Sequence, residues 1–454
     1  MKDYKNDNLG TGKISKLLFA LAIPAITAQI INVLYNVVDR IYIGHIPSVG
    51  ADALTGIGVT FPLIMIISAF ASLIGMGGAP RAAIMMGKNE NDSAEEILGN
   101  SVSTLIIISV VLTIAFLIFN DKLLLLFGAS ENTLPYASSY MNIYTFGTLF
   151  VQISLGLNMF ITTQGFAKTS MMTVVIGAII NIILDPIFIF IFKMGVQGAA
   201  LATVISQGIS AIWVLKFLVG KKTILKIKRQ YLGIRFSVIF PVLALGISPF
   251  IMQSTESILM ICFNFSLLKY GGDLAVGAMA ILASVMQFTL MPVIGLTQGA
   301  QPIISYNYGA KNSDRVKKAF KLLLFSSILY SLLIWVLIMV TPSMFASLFT
   351  DNAELITMAS WSLKVYMSAS FLMSIQFACQ QTFIALGNAK ASLFLALLRK
   401  IFLLIPMIFI LPQFITNKVF AIFLAEPVSD TIAVTVTIIL FSIQFNKSLK
   451  EMEL

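Results

Sequence analysis

The sequence predicts an all-α integral membrane protein of twelve transmembrane helices, set in two six-helix bundles related by a parallel pseudo-twofold repeat. Three observations carry this. Hydrophobic residues make up 58% of the 454 and charged residues 11%, with a mean hydropathy of +0.93. A soluble domain carries roughly 25% charged residues and needs polar groups to cover its surface. The apolar residues fall in twelve runs long enough to cross a bilayer as helices of ~20 residues. Short motifs also recur between the halves at one offset of 222 residues. The composition excludes intrinsic disorder. β-barrel strands are ~10 residues of strict alternation, which does not match these long runs.

Span one, near 16–45, follows the polar stretch MKDYKNDNLGTGKIS. That stretch leads into no short apolar core with a small-residue cleavage site, so it is read as mature chain. The span holds Pro24, which removes a backbone hydrogen bond and favours a kink or hinge. It also holds Gln29, Asn32, Asn36 and Asp39 at i, i+3, i+7 and i+10, read as one helical face. Spans two (53–79), three (97–119) and four (135–164) follow, the last containing Asn158. Span five (170–192) carries Asn181 and Asp185 at i, i+4, then Pro186; span six (195–219) carries Thr203 and Gln207 at the same spacing.

The basic stretch 220–236 is read as a cytoplasmic linker between an N-terminal bundle, 1–219, and a C-terminal bundle, 237–454. Span seven (237–267) contains Glu256, and spans eight (272–300), nine (317–341) and ten (354–386) follow. Span eleven (391–415) contains Arg399 and Lys400, and span twelve (418–445) Glu426 and Asp430. An Arg399–Asp430 pair would neutralise two of these charges. The connections are too short for a soluble domain.

The net charge of +10 is a topology signal. With the N-terminus cytoplasmic, Lys2, Lys5, Lys13, Lys16, Lys88, the cluster between Lys221 and Arg235, the cluster between Lys311 and Lys321, Lys447 and Lys450 all fall inside. Only Lys122, Lys193, Lys269 and Lys418 fall outside. Both termini are therefore expected in the cytoplasm. The basic loops are expected to meet anionic lipid headgroups and not nucleic acid.

Gly77, Pro80 and Gly87 recur as Gly299, Pro302 and Gly309, and Gly165, Ala167, Lys168 and Ser170 as Gly387, Ala389, Lys390 and Ser392. The offset of six spans is even, so the repeats share one orientation and their axis runs along the membrane normal. Two like bundles with a seam describe a transporter better than a receptor or an enzyme, with its site near the midplane at the repeat interface.

Ionisable groups inside a bilayer are costly, so each is a functional candidate. Asp39, Asp185 and Thr203 each lie ~7–8 residues from the outer end of their spans, which is ~10–12 Å at 1.5 Å per residue. Asn181 is one turn from Asp185. Two carboxylates, an amide and a hydroxyl at one level suit Na⁺, and two close carboxylates can also share a proton. The alternative is a hydrogen-bonded cluster that only joins helices, for which amides or hydroxyls would suffice. Gln29, Asn32, Gln207, Glu256 and Asp430 are candidates to line a substrate cavity. Position 407, the repeat partner of Asp185, is Met, so the cation site is not duplicated. His45, the single histidine, cannot build a histidine metal site, and Cys262 and Cys379 give no disulfide or metal pattern.

The opening GTGKISKLLFALAIPAITAQIINVLYNVVDRIYIG, the connection GMGGAPRAAIMMGKNENDSAEEILGNS and the motif ALGNAKAS resemble the multidrug and toxic compound extrusion (MATE) family, closest to its bacterial DinF-like and MepA-like branch. The resemblance covers essentially the whole chain. It implies a V-shaped cavity between the bundles in a bacterial cell membrane, and efflux of cationic amphiphilic compounds against H⁺ or Na⁺ moving inward. No cofactor beyond that ion is implied, and a functional monomer is expected. Some members carry a cation site whose residues match Asp39, Asn181, Asp185 and Thr203, with Asn36 and Asn158 as further candidates. Other branches place an essential acid on helix seven, which Glu256 resembles. The alternative is a lipid-linked saccharide flippase of the same superfamily, whose cavity would need cations for phosphate; Lys364, Arg399 and Lys400 would serve. An intramembrane enzyme lacks an HExxH or GxSxG motif here, and an ATP-driven pump lacks its phosphate loop.

Overall fold

The computed structural model describes residues 7–453; Lys2 and Lys5 of the charge pattern lie outside them. Among the described residues nine helices are long and apolar enough to cross a membrane, or ten with the bent pair Leu134–Phe146 and Thr148–Thr163 taken as span four. The 74-residue helix Phe236–Gly309 is two spans. Gly272, at φ 64° and ψ −164°, breaks it into span seven (236–271) and span eight (273–309). Ala353–Tyr366 and Met373–Ala385, joined through the one-turn Ser370–Leu372, supply span ten. The twelve expected spans are thus all present.

The others are Ile14–Gly44 (one), Gly50–Gly87 (two), Asn91–Leu126 (three), Ala167–Ile191 (five), Val196–Leu218 (six), Ser313–Val340 (nine), Ala389–Phe414 (eleven) and Lys418–Glu453 (twelve). Spans two, three and twelve overrun their apolar windows by several residues. Hydropathy marks where lipid ends; polar residues such as Asn91–Leu98 continue the helix into water because nothing there breaks it. Span four bends by 60° around Gly147. Span ten breaks around Ala369, the residue 222 positions on, so the bend belongs to the repeat.

The seam between the halves is built by backbone approaching backbone. A Cβ on Gly87 would lie 2.0 Å from the carbonyl oxygen of Tyr306, and one on Gly309 2.0 Å from that of Ile84. Gly87 and Gly309 are repeat partners, and so are Ile84 and Tyr306. The contact is therefore reciprocal, as a twofold interface requires. With spans one and seven offset by 220 residues rather than 222, the same exchange relates Gly77 against Val242 to Gly299 against Ala22, and Gly246 against Leu73 to Gly295 against Ile26. Spans two and seven, and eight and one, meet through these contacts, and the parallel repeat follows from them.

These contacts run from mid-span to the face carrying the loops at 88–90 and 310–312, called the basic face here. Nearest the opposite, far face are the ring pair Phe70–Phe250, 4.9 Å between centroids, and the Ser72 hydroxyl donating to Gln253 at 2.9 Å. One turn beyond Gln253, on the same side of span seven, Glu256 is exposed, as are Asn32 and Asn36 on span one. Polar groups exposed at that depth mark a cleft that widens towards the far face.

The stretch after Leu218 lies against the N-terminal half. The Gln164 side-chain oxygen accepts from the backbone N–H groups of Ile224 and Leu225 and from the Thr223 hydroxyl. Glu95 accepts from the Lys226 backbone and pairs with Lys228, and Arg235 pairs with Glu96. Most of its backbone groups thus have fixed partners before span seven begins.

Candidate functional site

Asp39, Asn181, Asp185 and Thr203 meet in one pocket inside the N-terminal half, and all four are buried. Span five turns Asn181 and Asp185 inward one above the other; the Asn181 amide donates to Asp185 Oδ1 at 3.2 Å and to the Thr203 hydroxyl at 3.4 Å. The carboxyl groups of Asp39 and Asp185 face each other across the pocket. Three oxygens here, Asp39 Oδ1, Asn181 Oδ1 and Asp185 Oδ2, are buried without a hydrogen-bond partner. Buried polar oxygens are rarely left so. Three on converging residues make a cradle that a proton or a small hard cation would satisfy.

Span five ends as Pro186 dictates. The ring has no N–H to donate, and the following turn, Ile187–Ile191, is π-helical. Tyr140 of span four, buried beside Thr203 and Asp39, closes the pocket wall. Sequence reading missed it, although Tyr140 and Tyr144 at i, i+4 in an apolar run are the signal that two polar tips share a buried face.

The other candidates separate. Asn36 is exposed on span one, its amide donating to the Asn32 backbone. The stripe spans about 80° of helix, with Asp39 about 20° from Asn32; what changes along it is burial, since Asn32 and Asn36 are exposed and Asp39 is covered by spans four to six. Gln29, one turn beyond the seam residue Ile26, is half-buried at the root of the cleft. Asn158 does not join the pocket. It sits near the basic end of span four, donating to the Ser170 carbonyl at 3.2 Å and accepting from Thr173 at 3.0 Å, whereas Asp185 is near the far end of span five. Its repeat partner Gln380 reaches the Ser392 carbonyl in the same way, at 3.4 Å. Gln207 is half-buried and accepts from Ser154, a contact within the N-terminal half. Pro24 is buried in a helix that continues on both sides of it.

The C-terminal half holds a second cluster. A π-helical stretch, Leu398–Leu404, carries Arg399 and Lys400, both buried. Arg399 donates through Nε to Asp430 and through Nη2 to Glu426, each at 2.7 Å. Asp430 and Glu426 are one turn apart on span twelve, and both are buried, so Asp430 faces Arg399 and not the cleft. The anticipated Arg399–Asp430 pair is present, with Glu426 added. Lys400 pairs with Glu256 and donates to the Met252 carbonyl at 2.6 Å. Arg399→Gln would strand two buried acids. We expect a stability loss of about 3–5 kcal/mol, read as a lowered midpoint of thermal unfolding in detergent, and wild-type stability would contradict the pairing.

Twelve spans in two reciprocal bundles, with buried acids in each half, define a membrane transporter. The MatE family model matches residues 24–187 and again 249–410, once in each half. The chain belongs to that family. It is 25% identical over 435 residues to the multidrug export protein MepA of Staphylococcus haemolyticus, across 95% of both chains, and 23% identical to that of Staphylococcus saprophyticus across 97% of both. Among solved structures it superposes on a MATE in the bent conformation with a TM-score of 0.93 at 22% identity over the whole of both chains. An outward-facing MATE transporter of the MOP superfamily gives 0.91, also at 22% identity, over 99% of both.

Proposed function

We propose that this chain exports cationic amphiphilic compounds from the cell in exchange for H⁺ or Na⁺ moving inward. The observation that carries the reading is the trio of unpartnered buried oxygens where Asp39, Asn181 and Asp185 converge. Each buried acid costs roughly 2.5–3.5 kcal/mol on insertion scales, and an inter-helix contact alone would not need two of them. The relatives named multidrug export protein MepA supply the substrate class. In this reading the basic face is cytoplasmic, the cleft faces outward, and 1–219 and 237–454 are bundles joined by the linker 220–236. Glu256, Gln29 and Asn32 line the substrate path. The chain works as a monomer in the bacterial plasma membrane, with the coupling ion as its only cofactor. The saccharide flippase is disfavoured because Arg399 and Lys400 are spent on acids rather than presented to a phosphate.

Purified protein in vesicles, with a pH gradient and a Na⁺ gradient imposed separately, tests this. One gradient should drive ethidium uphill. Ethidium movement that follows only its own gradient under both conditions would overturn the proposal.

A further inference from the structure

The five ionisable groups of the C-terminal cluster do not balance. Arg399 and Lys400 supply two positive charges; Glu256, Glu426 and Asp430 supply three negative ones. The buried four cancel, two against two. Glu256 is the surplus. Its side chain is 62% exposed to the cleft, whereas that of Lys400 is 3% exposed. The cluster is thus one positive charge short, and the open position is on the cleft wall.

Lys400 occupies that position in this structure. Its ammonium reaches Glu256 from behind, held also by the Met252 carbonyl. A second acid of the same buried cluster is Glu426, which the neighbouring Arg399 holds through one nitrogen while its Nε remains on Asp430. A buried ammonium left with no carboxylate would be expensive. Here it can turn inward and keep a partner. A cation arriving from the cleft then takes Glu256, and three cations face three acids. The π-helical stretch under Arg399 and Lys400 is a register irregularity of the kind that allows such a shift.

We infer that Lys400 is a tethered stand-in for the transported cation, which a monovalent organic cation displaces from Glu256 on binding. The inference rests on the proposed export of cations and adds a residue that sets affinity and charge class. A neutral compound gives Lys400 no reason to leave. A divalent cation overcharges the cluster, leaving one positive charge without an acid.

The test is equilibrium binding of ethidium, which is permanently charged and monovalent, to the purified full chain, followed by fluorescence anisotropy, with export measured on the same variants. Lys400→Met should tighten binding about tenfold, because the competitor is gone. Lys400→Arg should weaken it, because a guanidinium grips a carboxylate through two bonds. Glu256→Gln should weaken binding, and in the Glu256→Gln background Lys400→Met should no longer tighten it. The arginine and glutamine variants keep the volume, so an elution profile matching wild type guards against misfolding of the methionine variant. Ethidium affinity unchanged in both Lys400 variants, or tightening by Lys400→Met that persists in Glu256→Gln, would overturn the inference while export stands. A wild-type chain that neither binds nor exports ethidium would overturn both.

Discussion

Asp39→Asn and Asp185→Asn should each reduce gradient-driven ethidium export to the rate of protein-free vesicles. The amide keeps the size and shape of the carboxyl, and its N–H can donate to the facing carboxyl oxygen. What it cannot do is gain and lose a proton or bring a full negative charge to a cation. One carboxyl then remains, and the site that needs both acids to take up and release an ion is lost. Folding should be intact or improved, because a buried charge has been removed at a site where each costs roughly 2.5–3.5 kcal/mol. Export is therefore to be compared at equal protein in the vesicles. Wild-type uphill export by both variants would make the N-terminal acids structural and move the coupling role to Glu256.

The second large effect lies at the seam. A Cβ on Gly246 would stand 1.7 Å from the Leu73 carbonyl oxygen and one on Gly309 2.0 Å from that of Ile84. Both clashes are with backbone, which cannot rotate away. Gly246→Leu and Gly309→Leu should therefore hold the two bundles apart on the basic face and stop export. The discriminating readout is access. A cysteine placed at Ile84 should resist a water-soluble maleimide in the Gly246 protein and react in Gly246→Leu. Equal reactivity in the two would mean that the close approach is not what shuts this face.

The spans were legible because a bilayer imposes a length and a polarity that a hydropathy window measures directly. The window could not find the end of span twelve, where polar residues prolong the helix, nor that of span two, where the helix runs on through Pro80–Gly87, nor the breaks around Gly147 and Ala369, which depend on packing. The 222-residue offset carried more than its seven matches. The reciprocal contacts of Gly87 with Tyr306 and Gly309 with Ile84 follow the same offset, although Ile and Tyr share no chemistry that a motif would register. Their backbones make the contact, so side-chain identity was free to drift.

Periodicity and depth pointed to the convergence of Asp39, Asn181, Asp185 and Thr203, since each helix alone fixes its level and facing. They failed for Asn158, whose level near the basic face differs from that of the pocket. Asp430, offered both as a cavity residue and as the partner of Arg399, takes the second role. Tyr140 and the Lys400–Glu256 pair join residues of different spans through long side chains, and no spacing within one helix reports that.

The central claim is exchange through the Asp39–Asp185 pocket, and the most direct measurement reverses the usual assay. Vesicles containing the protein are loaded with ethidium and diluted into dye-free medium, with no ion gradient, while trapped indicators report internal pH and internal Na⁺. The account predicts that ethidium leaving in the transport direction draws one of the two ions the opposite way, and that the Asp39→Asn/Asp185→Asn double variant moves neither ion. Ethidium leaving with both indicators flat, or an ion flux as large in the double variant as in wild type, would contradict it.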